Sequence, residues 1–164
     1  MERNRYKDCF VGMEKWYDKK MKLLDKKIEN YNGWFMNNTK WKKTFLTIFE
    51  NLDTVKQCEI VEFTLENYRM RWCNNVKLGK NIEEAKKYLL DDYIHEHLAG
   101  GHDPISYREI EYLEFRKYDY QKIGALVTKK EVLQNTNKIK ELLSKIGQFY
   151  WEETEEYIRI YGYK

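Results

Sequence analysis

Apolar side chains recur at steps of three and four along the first thirty residues: Tyr6, Phe10, Met13, Tyr17, Met21, Leu24, Ile28 and Tyr31. That spacing predicts one amphipathic helix over residues 5–31, about seven turns long. Its opposite face carries Lys15, Lys19, Lys22 and Lys26 at the same steps. Asn30-Tyr31-Asn32-Gly33 is expected to stop it, because Asn and Gly tolerate the left-handed conformation that ends helices. Asn38 or Thr39 can cap a second helix with Trp41, Phe45, Ile48, Phe49 and Leu52 inward. Asp53-Thr54 reads as another cap. A third helix would then run to about Trp72, burying Cys58, Val61, Leu65, Tyr68 and Trp72. Glu62-Phe63-Thr64-Leu65-Glu66 also alternates, so a strand competes there. After a turn around Gly79, Asn81 and Glu84 form a near capping box for a fourth helix. It would use Ile82, Ala85, Leu89 and Tyr93 and end at Gly100-Gly101.

The last sixty residues change character. Residues 105–116 and 120–128 are rich in Ile, Tyr, Phe and Val, and Ile123-Gly124-Ala125-Leu126-Val127 reads as a short buried strand. Residues 105–116 also fit a helical period, which would make 107–143 a candidate helix-turn-helix; the apolar residue that motif wants after its turn is missing. Thr128-Lys129-Lys130-Glu131 has capping-box form and opens a helix containing Val132, Ile139, Leu142, Leu143 and Ile146. Residues 148–163 then read as a hairpin turning at Glu153-Thr154-Glu155, with Ile158 and Ile160 alternating against Tyr157, Arg159, Tyr161 and Tyr163. The expected fold class is α+β, in one domain over 1–164. An N-terminal helical part of about four helices (1–101) packs on a small C-terminal antiparallel ββαββ unit (105–164).

Composition narrows the classes. Aromatic residues make up 16% of 164 residues, with 14 Tyr, 7 Phe and 5 Trp, so a folded chain with a sizeable core is expected. No apolar run approaches a membrane span, and no signal peptide is expected. Cys9, Cys58 and Cys73 are odd in number and far apart. They read as reduced, partly buried thiols of a cytoplasmic protein. Net charge is only +3, but it is uneven. Residues 1–43 hold 12 Lys/Arg against 6 Asp/Glu, a net of +6, and the remainder is mildly acidic. Such asymmetry steers anionic partners.

Three constellations carry candidate chemistry. The lysine stripe, Lys15, Lys19, Lys22 and Lys26, is extended by Lys40, Lys42 and Lys43, with Trp16, Trp34 and Trp41 interleaved. Lysines neutralise phosphates and aromatics stack on unpaired bases, so this set is a candidate site for a polyanion or acidic partner. A solvated helix face is the plain alternative. Tyr157, Arg159, Tyr161 and Tyr163 would lie on one face of an edge strand, in residue types that anchor protein interfaces and accept partner strands. His95, His97 and His102 fall within eight residues, near Asp91, Asp92, Glu96 and Asp103, and these are good ligand types for a divalent metal. Positions two apart on a helix point about 200° from one another, so His95 and His97 cannot share an ion there. No metal site or cofactor is assigned.

Glycine-rich phosphate loops, G-x-S-x-G and CxxC pairs are missing, and a non-catalytic reading follows. The Lys/Asn/Tyr-rich composition resembles accessory proteins of phages and other mobile elements, a class that includes anti-defence inhibitors; the resemblance assigns no residue. The expected function is a macromolecule-binding protein, a small inhibitor or modulator of a protein or nucleoprotein complex. A nucleic-acid-binding regulator using the basic N-terminal helices is the second reading. A metal-dependent enzyme built on the histidine cluster is the third. No membrane partner is expected.

Overall fold

The computed structural model describes residues 5–62, 69–73, 82–95, 104–125 and 127–164. It is a mixed α+β fold whose centre is a five-stranded antiparallel sheet. The chain begins with α1 (Arg5–Asp8), α2 (Glu14–Ile28) and α3 (Asn38–Phe49). β1 (Gln57–Glu62), β2 (Arg69–Cys73) and the short α4 (Ile82–Lys86) follow, then the two-residue strands β3 (Tyr93–Ile94) and β4 (Ile105–Ser106). A single 3-10 turn, Tyr107–Glu109, leads into β5 (Ile110–Arg116). After it come β6 (Tyr118–Ile123), β7 (Val127–Val132), α5 (Thr136–Ser144), β8 (Trp151–Glu153) and β9 (Tyr157–Tyr161). The main sheet has the order β2-β1-β5-β9-β8, so strands from both sides of residue 101 share it.

One face of the sheet forms the core. Cys58 and Ile60 from β1, Leu113 and Phe115 from β5, and Ile158 and Ile160 from β9 are all almost fully buried. They belong to one cluster with Trp41, Phe45, Ile48 and Phe49 of α3 and Ile139 and Leu143 of α5. The inward stripe expected for the second helix is therefore the stripe observed. Its cap is Asn37, whose side chain accepts from the Lys40 amide (2.8 Å), one residue before the expected caps.

The first expected helix is two. Gly12 at φ 82° bends the chain between α1 and α2, a conformation that costs glycine nothing. The predicted stripe still does its packing, because the bend folds Tyr6 and Phe10 back onto Tyr17, with ring centroids 5.9 and 5.5 Å from it. Met13, at the bend, is exposed instead. Glu109 anchors this N-terminal unit. Its carboxylate accepts from the Tyr6 hydroxyl (2.5 Å) and the Ser106 amide (2.8 Å), and pairs with Lys20 (2.6 Å). Burial, then the Glu109 charge, pushes the Tyr6 pKa upward.

Three further expectations are corrected, and one alternative is removed. The third helix is absent: residues 57–62 and 69–73 are antiparallel strands, paired Cys58 to Trp72 and Ile60 to Met70. β1 is buried at every position, and a strand covered on both faces loses the alternation that would have revealed it. The fourth helix stops at Lys86, and Tyr93–Ile94 pairs with Ile105–Ser106. Residues 110–116 are extended, which removes the helix-turn-helix alternative. Thr128–Glu131 lies within β7; α5 starts at Thr136, capped by Asn135. The cap residue Asn81, the Gly79 turn, the Gly100-Gly101 stop and the strand-competing Phe63-Thr64-Leu65-Glu66 lie outside the described residues.

Gly162 sits where β9 leaves the sheet, and its amide donates to the Glu111 carbonyl at 2.7 Å. A Cβ built there would meet the Ile110 carbonyl oxygen at 2.7 Å and the Trp41 ring at 3.0 Å. Backbone cannot yield as a flexible side chain does. Gly162→Ala is expected to cost about 1–3 kcal/mol, read as a lower denaturant midpoint at unchanged slope.

Candidate binding surface

The face of the sheet opposite the core is polar and aromatic. Alternation along each strand places Gln57, Glu59 and Val61 there from β1, Tyr112, Glu114 and Arg116 from β5, and Tyr157, Arg159 and Tyr161 from β9. The register aligns Arg71, Glu59, Glu114, Arg159 and Glu152 in one row across all five strands. Glu59 and Glu114, directly opposite each other, are 3% and 5% exposed.

Two arginines answer these carboxylates. Arg159 grips Glu114 through Nε (2.8 Å) and Nη2 (2.7 Å), and reaches Glu152 at 3.4 Å. Arg116 reaches Glu59 at 3.4 Å and Glu114 at 3.8 Å. The Arg159 guanidinium also lies over the rings of Tyr157 (4.0 Å) and Tyr112 (4.4 Å). Burial works against its charge, but hydrogen bonds to Tyr161 and Glu114 prevail and raise its pKa. The face continues into a rim: Tyr150 stacks on Phe35 (4.8 Å), and Lys164 lies 4.9 Å from the Tyr150 ring and 4.8 Å from that of Tyr161. Gln57 Oε1 is buried on this face and accepts no hydrogen bond among the described residues.

The expected tyrosine–arginine set is thus placed differently from its expectation. The hairpin is as read, with Trp151 opposite Ile160 and Glu153 opposite Ile158. However, β9 is not an edge strand; it pairs with β5 on one side and β8 on the other. Its main chain is occupied, so what it offers is side chains. Tyr157, Arg159 and Tyr161 share the face. Tyr163 does not: beyond Gly162 it is 2% exposed, stacked under Trp34 and close to Tyr31. Sequence reasoning missed Glu59, Tyr112, Glu114 and Arg116 because their importance depends on strand pairing with β1, which was read as helix.

The lysine set divides. Lys15, Lys19, Lys22 and Lys26 are all exposed on α2, opposite the buried Tyr17 and Leu24. They span roughly 16 Å along the helix at 1.5 Å per residue. Trp16 beside them is 40% exposed. Lys40 is engaged locally: it lies 4.5 Å over the Phe149 ring and donates to the Gln148 carbonyl, and burial lowers its pKa. Lys42 pairs with Asp91 at 2.5 Å. Lys43 is exposed and Trp41 is in the core.

The acidic segment near 152–156 is an exposed turn whose glutamates pair with lysines of neighbouring elements. Glu153 pairs with Lys117 (2.8 Å) and Lys140 (2.7 Å), which hold its pKa down at about 2. Glu156 pairs with Lys130 at 2.8 Å. Of the histidines, His95 is half-buried against the Tyr88 ring (5.3 Å); His97 and His102 lie outside the described residues. Among the described residues, no three His, Cys, Asp or Glu side chains are placed to hold a metal ion, and no helix is long and apolar enough to cross a membrane. Cys9 is exposed and Cys58 buried, both unbridged.

A family model described as "Family of unknown function (DUF6678)" matches residues 23–164. The chain belongs to the DUF6678 family. No curated protein and no solved structure matches it. The DUF6678 match takes in the whole polar sheet face, whereas Lys15, Lys19 and Lys22 precede it.

The Arg159–Glu114 pair is expected to show strong coupling. Arg159→Met leaves Glu114 buried beside Glu59 and is expected to cost about 3 kcal/mol. Adding Glu114→Met should recover much of that loss. A double-mutant cycle by chemical denaturation should give a coupling of at least about 1 kcal/mol; additive losses would contradict the pairing.

Proposed function

We propose that this DUF6678 chain is a non-catalytic binding protein, a small inhibitor or modulator of a protein or nucleoprotein complex, and that it meets its partner with the tyrosine–arginine face of its sheet. The observation that carries the reading is Arg159 fixed between Tyr112 and Tyr157, with exposed Tyr150 and Lys164 at the rim. Tyr and Arg are the residues that dominate binding energy at interfaces. Here their side chains are ordered before any partner arrives, which lowers the entropic cost of binding.

The test uses the immobilised chain to capture partners from host lysate, alongside Tyr157→Ala and Tyr150→Ala. Both side chains lie at the surface of the face and carry none of its buried ion pairs. One dominant partner should be retained by the parent chain and weakened at least about tenfold by each variant, with both variants still folded and unfolding cooperatively. Retention indifferent to both substitutions refutes the assignment to this face.

Nucleic-acid binding through α2 is a second reading. It is supported by four exposed lysines in one row beside a partly exposed tryptophan. If these lysines neutralise phosphates, affinity for an oligonucleotide should fall with salt at a logarithmic slope of about −3. Lys19→Glu with Lys22→Glu should abolish it. Salt-independent or absent retention removes this reading.

A further inference from the structure

β6 and β7 form an arm of the fold that pairs with no other strand among the described residues. They pair over six positions, from Tyr118 opposite Val132 to Ile123 opposite Val127. The side chains of Asp119 to Ile123 are all exposed, as are those of Thr128, Lys129 and Lys130. Ile123 is 53% and Val132 76% exposed, and the turn between the strands opens with Gly124 at φ 74°. The base is tied down: the Leu133 amide donates to Lys117, the Lys117 amide donates to Glu156, and Glu156 also takes Tyr120 and Lys130. Beyond that clamp stands a two-stranded ribbon with an apolar turn, which is marginal alone in water. A segment whose composition reads as buried is thus exposed, and its strand edges present main-chain donors and acceptors.

We propose that the edge of β7 pairs with β7 of a second copy of this chain. A two-fold axis perpendicular to a sheet places opposite one another residues an even number of positions apart. On β6 no such register opposes unlike charges, because Asp119 and Lys122 are an odd number apart. On β7, centring the axis on Lys130 sets Lys129 against Glu131 of the second copy, and Glu131 against its Lys129. The same register puts Thr128 opposite Val132, and Val127, at the apolar turn, opposite Leu133. Lys130 meets its own counterpart at the axis. Its charge is answered within each copy by Glu156 at 2.8 Å and by the Tyr118 ring at 4.0 Å. Strand pairing supplies the main-chain hydrogen bonds, and the two crossed ion pairs, formed in exchange for the Lys129–Glu131 pair that each copy holds within itself, choose the register. One strand edge is a small contact, so the dimer is weak and concentration-dependent.

Sedimentation velocity over a wide concentration range should show a monomer–dimer equilibrium. Lys129→Glu alone, or Glu131→Lys alone, should weaken it about tenfold or more by opposing like charges. Lys129→Glu with Glu131→Lys together should restore it. In a Cys9→Ser background, Lys130→Cys should oxidise to a cross-linked dimer, since only the axial residue faces itself within disulfide reach, and Lys129→Cys should not. A strictly monomeric parent chain overturns the proposal and leaves this edge to a strand of another protein. Dimerisation insensitive to the charge reversals, or cross-linking equal at both positions, overturns it too.

Discussion

Glu114 is buried in the middle strand of a sheet, directly beside the buried carboxylate Glu59. That arrangement is stable only with cations held in place against it. Arg159 comes from the neighbouring strand at the opposing register position, and Arg116 from two residues along the same strand. The pairing therefore ties together three strands whose residues are far apart in the chain. It also fixes the face on which Tyr112, Tyr157 and Tyr161 emerge, because a one-residue slip would exchange the polar and apolar sets. Ile158 and Ile160 would then leave the α3–α5 core while Arg159 entered it.

This constraint gives the sheet two different sides. Behind it, Trp41, Phe45 and Leu143 supply apolar burial of the ordinary kind. In front, a layer of ion pairs and rings is satisfied largely within itself, with Phe35 packed against Val61, Tyr112 and Tyr161. Away from this face the β6–β7 ribbon has a different character: among the described residues its outer edges pair with no strand, and its turn is apolar. The side chains of the sheet face and the backbone of the ribbon lie on separate parts of the fold.

The fold was legible in the sequence where one periodicity was uncontested. The α3 stripe from Trp41 to Phe49 and the final hairpin were of that kind, each with one wet and one dry face. It was illegible where both faces are covered. Gln57–Glu62 is buried at every position, so neither period two nor period 3.6 was selected by contrast with water. Exposure produced the opposite error. Ile123 and the turn beyond it are apolar enough to pass for core, and Thr128–Glu131 has the spacing of a capping box; pairing with β6 overrode both. Of the candidate surface, the residues on β9 were found from local alternation, while Glu59, Glu114 and Arg116 were invisible without the register.

By itself, the sequence determined which side chains had to be hidden, that the chain mixes helices with antiparallel strands, and where the C-terminal hairpin turns. Those properties follow from local spacing and solvent contrast. The tertiary structure alone decided that β1 is a strand, that β9 lies inside the sheet, and that two glutamates and two arginines meet on one face. Each of these depends on hydrogen-bonded partners tens of residues away, and local periodicity carries no record of which strand becomes whose neighbour.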